Sequence, residues 1–104
     1  MVERLTIPTR LVLEVFLGAP DEERYGLEIA DAAGLRSGTI HPILARLEAV
    51  GWLSSSWEEI DPAEAGRPAR RYYRLTDEGA THATRRLATS VRPFGVARVS
   101  GATS

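Results

Sequence analysis

The polar side chains of this 104-residue chain favour ionic recognition over catalysis. All 13 basic residues are arginines, and the sequence contains no lysine, asparagine, glutamine or cysteine. A guanidinium group binds phosphate or guanine through two parallel hydrogen bonds. Two histidines are too few for zinc sites that lack sulfur, and the adjacent Glu58 and Glu59 would point to opposite faces of a strand. We therefore expect a protein that is not an enzyme and that holds no metal or cofactor.

The net charge of −1 conceals an uneven distribution of charge along the chain. Residues 1–34 contain seven acids and three arginines, and residues 57–66 contain four acids and no base. Residues 67–104 contain eight arginines and two acids. Local fields, and not the net charge alone, steer a binding partner. The charge pattern therefore permits nucleic acid binding without requiring it.

The length and composition indicate one small globular domain. Hydrophobic residues make up 43% of the chain and charged residues 26%, as in ordinary folded domains. Charged residues interrupt the apolar runs near the N-terminus, so no targeting signal is recognisable. No stretch approaches the roughly 20 apolar residues of a membrane span. We expect a soluble, cytoplasmic protein that does not associate with membranes.

Three helices are predicted in the first half of the chain. The first has Pro8 in its opening turn and is apolar on most sides, which indicates burial. The second covers about residues 25–33, and Gly34 supplies its left-handed C-terminal cap. The third covers residues 37–50, with Ser37 as its N-cap.

The third helix is predicted to be amphipathic. Its apolar stripe, at spacings i, i+3, i+4, i+7 and i+10, consists of Ile40, Ile43, Leu44, Leu47 and Val50. The short turn at Gly34 before this helix is typical of a helix-turn-helix, whose second helix enters the DNA major groove with its N-terminal residues first. A plain pair of packed helices fits the same spacing.

A β-hairpin and a final helix are predicted in the second half. Alternating residues indicate strands over 52–60, with Trp57 in the core, and over 70–75. The prolines and glycine between them indicate a loop over 61–69. Thr76 is predicted to cap the last helix.

The fold class that follows is mainly α with a small β-hairpin. It is a winged helix-turn-helix domain of three helices and a two-stranded wing over residues 1–76. A C-terminal helix covers 77–91, and 92–104 is predicted to be a flexible tail.

Several segments, in the right order over about residues 5–80, resemble the PadR family of bacterial transcriptional regulators. The matching residues are Tyr25-Gly26-Leu27-Glu28-Ile29, Ser37-Gly38-Thr39-Ile40-His41-Pro42, Arg46-Leu47-Glu48, Gly51, Trp57-Glu58, Gly66-Arg67-Pro68 and Arg70-Arg71-Tyr72-Tyr73-Arg74-Leu75-Thr76. The resemblance implies a homodimeric repressor that binds a palindromic operator in double-stranded DNA, often at its own promoter. It also implies dimerisation chiefly through the C-terminal helix. His41 departs from the family, which usually has tyrosine before this proline.

The candidate site residues follow from the pattern and the resemblance together. The candidate DNA-binding residues are Arg36, Ser37, Gly38, Thr39, His41 and Arg46 of the third helix and Arg67, Arg70 and Arg71 of the wing over 61–71. The candidate dimerisation residues are Leu11, Val15, Ala80, Ala83, Leu87 and Val91. The first helix enters this set because the C-terminal helix is short. No pocket for a small-molecule effector is recognisable in the sequence.

Some alternatives stay open. A winged helix can serve protein–protein contact without specific DNA binding, and the acidic first third of the chain is compatible with that use. Arg70 or Arg71 can instead pair with Glu58 or Glu59 across the hairpin. Trp52 is expected in the core, although a ligand pocket between subunits is the other possibility.

Overall fold

Five helices and a three-stranded antiparallel sheet form residues 5–89, which are the part of the chain that the computed structural model describes. In chain order the elements are α1 (Ile7–Gly18), β1 (Arg24–Tyr25), α2 (Gly26–Ala33), α3 (Ser37–Ala49), β2 (Leu53–Trp57), α4 (Pro62–Ala65), β3 (Arg71–Leu75) and α5 (Asp77–Thr89). The mainly helical winged architecture that the sequence predicts is confirmed. No helix among these residues is both long and apolar enough to cross a membrane.

The first two helices begin and end at local signals. The Thr6 hydroxyl oxygen accepts a hydrogen bond from the Thr9 backbone N–H at 3.3 Å, which caps α1. The Tyr25 backbone N–H donates to Glu28 at 3.1 Å at the start of α2. Gly34 ends α2 in the left-handed conformation, with φ 71°, as predicted. This glycine reverses the chain toward α3 within three residues.

The apolar stripe of α3 lies in the core. Four of its five residues, Ile40, Ile43, Leu44 and Leu47, are at most 5% exposed, and Val50, at the C-cap, is partly buried against them. They pack with Val12, Leu13 and Phe16 of α1 and with Ile29 and Ala30 of α2. The predicted stripe is therefore confirmed.

The start of α3 differs from the prediction by one residue. Arg36, with φ −79° and ψ 151°, occupies the N-cap position and makes no side-chain cap hydrogen bond. Ser37 is the first helical residue, so its assignment as the N-cap was wrong. The extended residue that precedes the helix is Arg36, so the first helical turn begins one residue earlier than the serine preference indicates.

The sheet has one strand more than the predicted hairpin. Its strand order is β1-β3-β2, with Arg24 opposite Tyr73 and Leu53 opposite Leu75. β1 has only two residues, so the chain carries no alternating pattern there that would predict a strand. β1 links the start of α2 to the wing, because α2 follows it directly.

The wing tip contains a helical turn where a loop was predicted. In α4, the Asp61 carboxylate accepts from the Ala63 N–H at 3.0 Å, and Pro62 occupies the first turn. Gly66 ends the turn with φ 73°. An Asp-Pro start and a glycine end are helix signals, and they outweigh the tendency of prolines and glycine to form a loop in this short segment.

Helix α5 is docked tightly on the chain that follows α3. As predicted, Thr76 caps it: its hydroxyl accepts from the Gly79 N–H at 2.9 Å and donates to the Gly51 carbonyl at 2.7 Å. A Cβ at Gly79 would collide with the Trp52 carbonyl oxygen, so glycine permits this close approach. The predicted tail over 92–104, and Val91 with it, lie outside the described residues.

The two tryptophans have opposite environments. Trp52 is 6% exposed, so its expected place in the core is confirmed. Trp57 is 60% exposed, and its predicted burial was wrong. It is the last residue of the edge strand β2, where the core no longer reaches the sheet.

Candidate nucleic-acid interface

The face of α3 opposite its buried stripe is open to solvent. Every candidate residue on this helix and at its N-cap is exposed: Arg36, Ser37, Gly38, Thr39, His41 and Arg46. Within residues 5–89, Arg36 and Arg46 form no ion pair. The first turn of α3 therefore presents backbone N–H groups, two small residues and an uncompensated guanidinium, a combination suited to phosphate.

Arg67 of the wing is held by Glu58. Its two terminal guanidinium nitrogens donate to the two carboxylate oxygens of Glu58 at 2.8 and 2.9 Å. The Arg70 backbone N–H also donates to Glu58, at 3.1 Å. The Arg67 hydrogen bonds, followed by that of the Arg70 backbone, lower the pKa of Glu58 to about 2 against the desolvation that raises it. This pair closes the wing tip over β2, and it involves Arg67 where Arg70 or Arg71 had been the alternatives.

Arg71 connects the wing to α3. Its Nε donates to the Ser55 hydroxyl at 3.1 Å, and its terminal nitrogen lies 3.4 Å from Glu48. The Ser55 hydroxyl in turn donates to Glu48 at 2.5 Å. Since Glu48 belongs to α3 and Ser55 to β2, this network sets the position of the hairpin relative to the helix.

Arg70 lies at the junction of the wing and α2. Its guanidinium carbon is 4.2 Å from the centre of the Tyr25 ring. The Tyr25 ring packs edge to face against Tyr72, with centroids 5.6 Å apart. Aromatic contact holds the cation in place without neutralising it. Tyr25 was missed as a site residue, although it is the first residue of one of the segments that resemble the PadR family.

The structure brings His41 together with Arg70 and Arg71 in one groove between α2, α3 and the wing. Gly26 forms part of the wall of this groove, and a Cβ there would lie 3.3 Å from Cε1 of His41. Arg36 and Arg46 do not line the groove. The candidate site is therefore an open helix face beside a cationic groove.

The candidate dimerisation residues fall into different environments. Leu11 and Val15 on α1 are half-buried, as are Ala80 and Leu87 on α5. Ala83 is fully buried in the core of the protomer, so it is not available to a partner, contrary to its assignment. Ala83 lies one helical turn after Gly79, whose close approach to Trp52 docks α5 on the core, and its spacing on the helix alone does not reveal this burial.

A second cavity, of about 330 Å³, lies between the end of α3 and α5. Trp52 and His82 line it, and their rings stack with centroids 5.7 Å apart and planes 4° apart. Nε2 of His82 lies 3.9 Å from Glu78. His82 is therefore half-buried against an aromatic ring.

Two helices joined by a tight turn at Gly34, with the second helix exposed on one face and followed by a β-hairpin, define a winged helix-turn-helix protein of the DNA-binding class. The model of the transcriptional regulator PadR-like family matches residues 12–85. This chain belongs to that family and is a DNA-binding transcriptional regulator.

Solved structures agree with this assignment. A PadR family transcriptional regulator from Eggerthella lenta is 29% identical, with a TM-score of 0.63 over 81% of this chain and 74% of that one. The protein smu.1704 from Streptococcus mutans is 28% identical, with a TM-score of 0.62 over 85% and 81% of the two chains. Bordetella bronchiseptica BpsR, whose DNA binding is regulated by 6-hydroxynicotinic acid, shares the fold at 17% identity and a TM-score of 0.68, over 85% of this chain and 57% of its own. Among curated proteins, none matches this sequence.

Proposed function

We propose that this chain is a homodimeric repressor that binds a palindromic operator through α3 and the wing over residues 61–71. The main support for this proposal is that α3 has one face buried in the core and one face exposed to solvent. Ile40, Ile43, Leu44 and Leu47 anchor the helix in the core, and every candidate residue of α3 and its N-cap is exposed. A recognition helix needs this division because its N-terminal residues must reach base edges while its other face stays packed.

Residues 1–76 would form the DNA-binding unit and 77–91 a dimerisation element. The core of the protomer already takes up Ala83, so the apolar stripe of α5 has less to offer a partner. Leu11 and Val15 of α1 are therefore proposed to share the interface with Ala80 and Leu87. A two-fold axis through such an interface would present two copies of α3 to successive turns of one face of the duplex.

The residues of α3 divide by the groups they can reach. The helix start over 36–38 is suited to a phosphate, and Thr39 and His41 one turn further are suited to base edges. Arg46 is two turns along and can reach guanine or phosphate. The chain has no asparagine or glutamine, so the usual bidentate partner of adenine is absent. Guanine contacts and shape readout by the wing are the expected means of discrimination.

The three wing arginines would act differently. Arg70 forms no salt bridge within residues 5–89, lies over the Tyr25 ring and is the wing cation best placed for a phosphate. Arg67 pairs with Glu58, and Arg71 pairs with Glu48. These two arginines would therefore chiefly fix the shape of the wing, and they would contact phosphate without leaving their positions. The wing would therefore bind with little reordering.

Selection of bound duplexes from a randomised DNA library tests the proposal. Enrichment of an inverted repeat, with half-sites about one helical turn apart, is expected for a dimeric reader. The variant His41→Ala should alter the preferred base at one step of each half-site, and Arg74→Ala, which changes a residue outside the site, should leave the motif unchanged. Sedimentation velocity of the free protein should give the mass of two chains.

Two results would each contradict a part of the proposal. If folded protein enriches no sequence at low salt, specific DNA recognition is refuted and protein–protein contact becomes the better account of the exposed α3 face. If an inverted repeat is enriched, a reporter gene behind that site should fall in expression when the protein is present. A rise in expression would refute the repressor role and leave the DNA-binding role in place.

A further inference from the structure

The groove between α2 and the wing has a volume of about 360 Å³. The end of β1, the first turn of α2 and the first half of α3 contribute Tyr25, Gly26, Leu27 and His41. The wing strands and the residue before β3 contribute Trp57, Arg70, Arg71 and Tyr73. Of these residues, only His41, Arg70 and Arg71 belong to the DNA-binding set above. The apolar part of the groove is thus without an assigned role.

Two large apolar side chains face solvent in this groove. Leu27 and Trp57 are each 60% exposed, although they come from different elements. In the part of the chain that is described, only Ile7, at 73%, is exposed among the other large hydrophobic residues. Exposed apolar area that is gathered at one place indicates a surface that a partner covers.

The charge of the groove restricts what that partner is. No carboxylate belongs to the described residues that line it. The Arg70 guanidinium lies 4.2 Å from the Tyr25 ring centre, and that of Arg71 lies 5.4 Å from the Trp57 ring centre. An occupant should therefore combine negative charge with apolar C–H surface. The sugar–phosphate backbone of DNA has both.

We propose that the groove seats the backbone of one DNA strand, with a phosphate at Arg70 and the deoxyribose C–H groups between Leu27 and Trp57. This inference rests on the proposed function. If α3 and the wing contact one duplex, the DNA strand that runs between these two contacts must pass the groove that separates them. Leu27, Trp57 and Tyr25 then become DNA-contacting residues that act through shape and apolar contact. Such contact is independent of the base sequence.

Gly26 keeps the groove open. A Cβ at this position would lie 3.3 Å from Cε1 of His41, so the imidazole would have to shift by a few tenths of an ångström. The glycine therefore lets the backbone of α2 approach α3 while His41 stays at the wall. Its small size matters here for space, because it does not have a positive φ.

Binding to a fluorescein-labelled duplex of mixed sequence, measured by anisotropy at several salt concentrations, tests the inference. Trp57→Thr should weaken binding about five- to tenfold, from the loss of apolar contact area. The slope of log affinity against log salt should stay unchanged, because an apolar contact releases no counterions. Trp57→Phe should restore most of the affinity, and Leu27→Thr should weaken binding less than Trp57→Thr.

The chain offers a matched control. Ile7→Thr removes a comparably exposed apolar side chain at the start of α1, outside the residues that line the groove, and should leave affinity unchanged in protein that sedimentation velocity shows to self-associate like the wild type. Arg70→Ala should reduce both affinity and the salt slope, which separates the phosphate contact from the apolar one. Thermal melting establishes that each variant is folded.

Acrylamide quenching gives a second readout. Trp52 is 6% exposed and Trp57 is 60% exposed, so Trp57 dominates quenching in the free protein. The duplex should reduce quenching of the wild type and have little effect in Trp57→Thr. Continued quenching of Trp57 in the bound complex would overturn the inference.

The outcomes separate the inference from the proposed function. If the wild type binds no duplex at low salt, the proposed function fails. If the wild type binds but folded Trp57→Thr and Leu27→Thr bind equally well, only the groove assignment fails. A changed base preference in Trp57→Thr, or loss of self-association without DNA, would also overturn it, in favour of base contact or a second copy of this chain.

Discussion

Removal of the Arg36 guanidinium tests whether the N-terminal end of α3 binds phosphate. Arg36 is exposed, precedes the first helical turn and has no ion-pair partner within residues 5–89. A cation in this state can release one DNA counterion when it meets a phosphate. Arg36→Ala should therefore weaken binding to all sequences alike.

The magnitude follows from the number of copies in the dimer. Each phosphate contact contributes about 0.9 to the slope of log affinity against log salt, so two subunits lose about 1.8 units. A fourfold rise in salt should then reduce the advantage of the wild type over Arg36→Ala by roughly tenfold. Fluorescence anisotropy with the selected duplex between about 50 and 200 mM salt covers this range.

Arg74→Ala is the matched control for the change in net charge. Arg74 is exposed on β3, and its guanidinium donates to the Asp21 carbonyl at 2.9 Å, in the turn that follows α1. Its removal should change the slope little. An unchanged slope for Arg36→Ala, or an equal flattening for Arg74→Ala, would refute the phosphate contact at the start of α3.

Three further outcomes are expected. Gly79→Ala should destabilise the fold by about 2–3 kcal/mol and lower the Tm by about 10 °C or more, because its Cβ would collide with the Trp52 carbonyl; calorimetry checks this, and a Tm like that of the wild type would contradict it. The pKa of Glu58 is lowered from 4.5 to about 2 in the folded state, so its stabilisation is complete above about pH 4.5 and is lost as the pH falls toward 2. Urea midpoints should therefore fall more steeply over this range in the wild type than in Glu58→Gln, and equal slopes would contradict the pair with Arg67. Leu11→Asp should shift the protein from two chains to one in sedimentation velocity, and an unchanged mass would remove α1 from the interface.

The ion pairs of the wing have a bearing on how it binds. Glu58–Arg67 and Glu48–Arg71 join residues that are 9 and 23 positions apart. The first pair folds the tip onto β2, and the second ties the hairpin to α3. An arginine that is already oriented loses less side-chain freedom on contact with DNA than a free one. Pairing thus reduces the positive charge that the wing offers to DNA, but it fixes the shape of the wing before binding.

Much of the helical frame was predictable because its signals are local. The stripe of α3 repeats within one helix, and the helix caps at Gly34 and Thr76 use backbone groups at most four positions away. A helix period is visible wherever one face is buried, whatever covers that face. The helix-turn-helix, the exposed face of α3 and the capped start of α5 therefore follow from the sequence by itself.

Other features were decided by the tertiary structure. The two-residue strand β1 exists because β3 lies beside it, and Trp57 is exposed because the core ends before the edge of the sheet. Glu58 has several arginines within reach along the chain, and the turn of α4 with Gly66 brings Arg67 to it. Alternation marks the two faces of a strand and charge marks possible partners. Which face is covered and which partner is met depends on segments distant in sequence, so the apolar and cationic groove emerges only when the elements pack together.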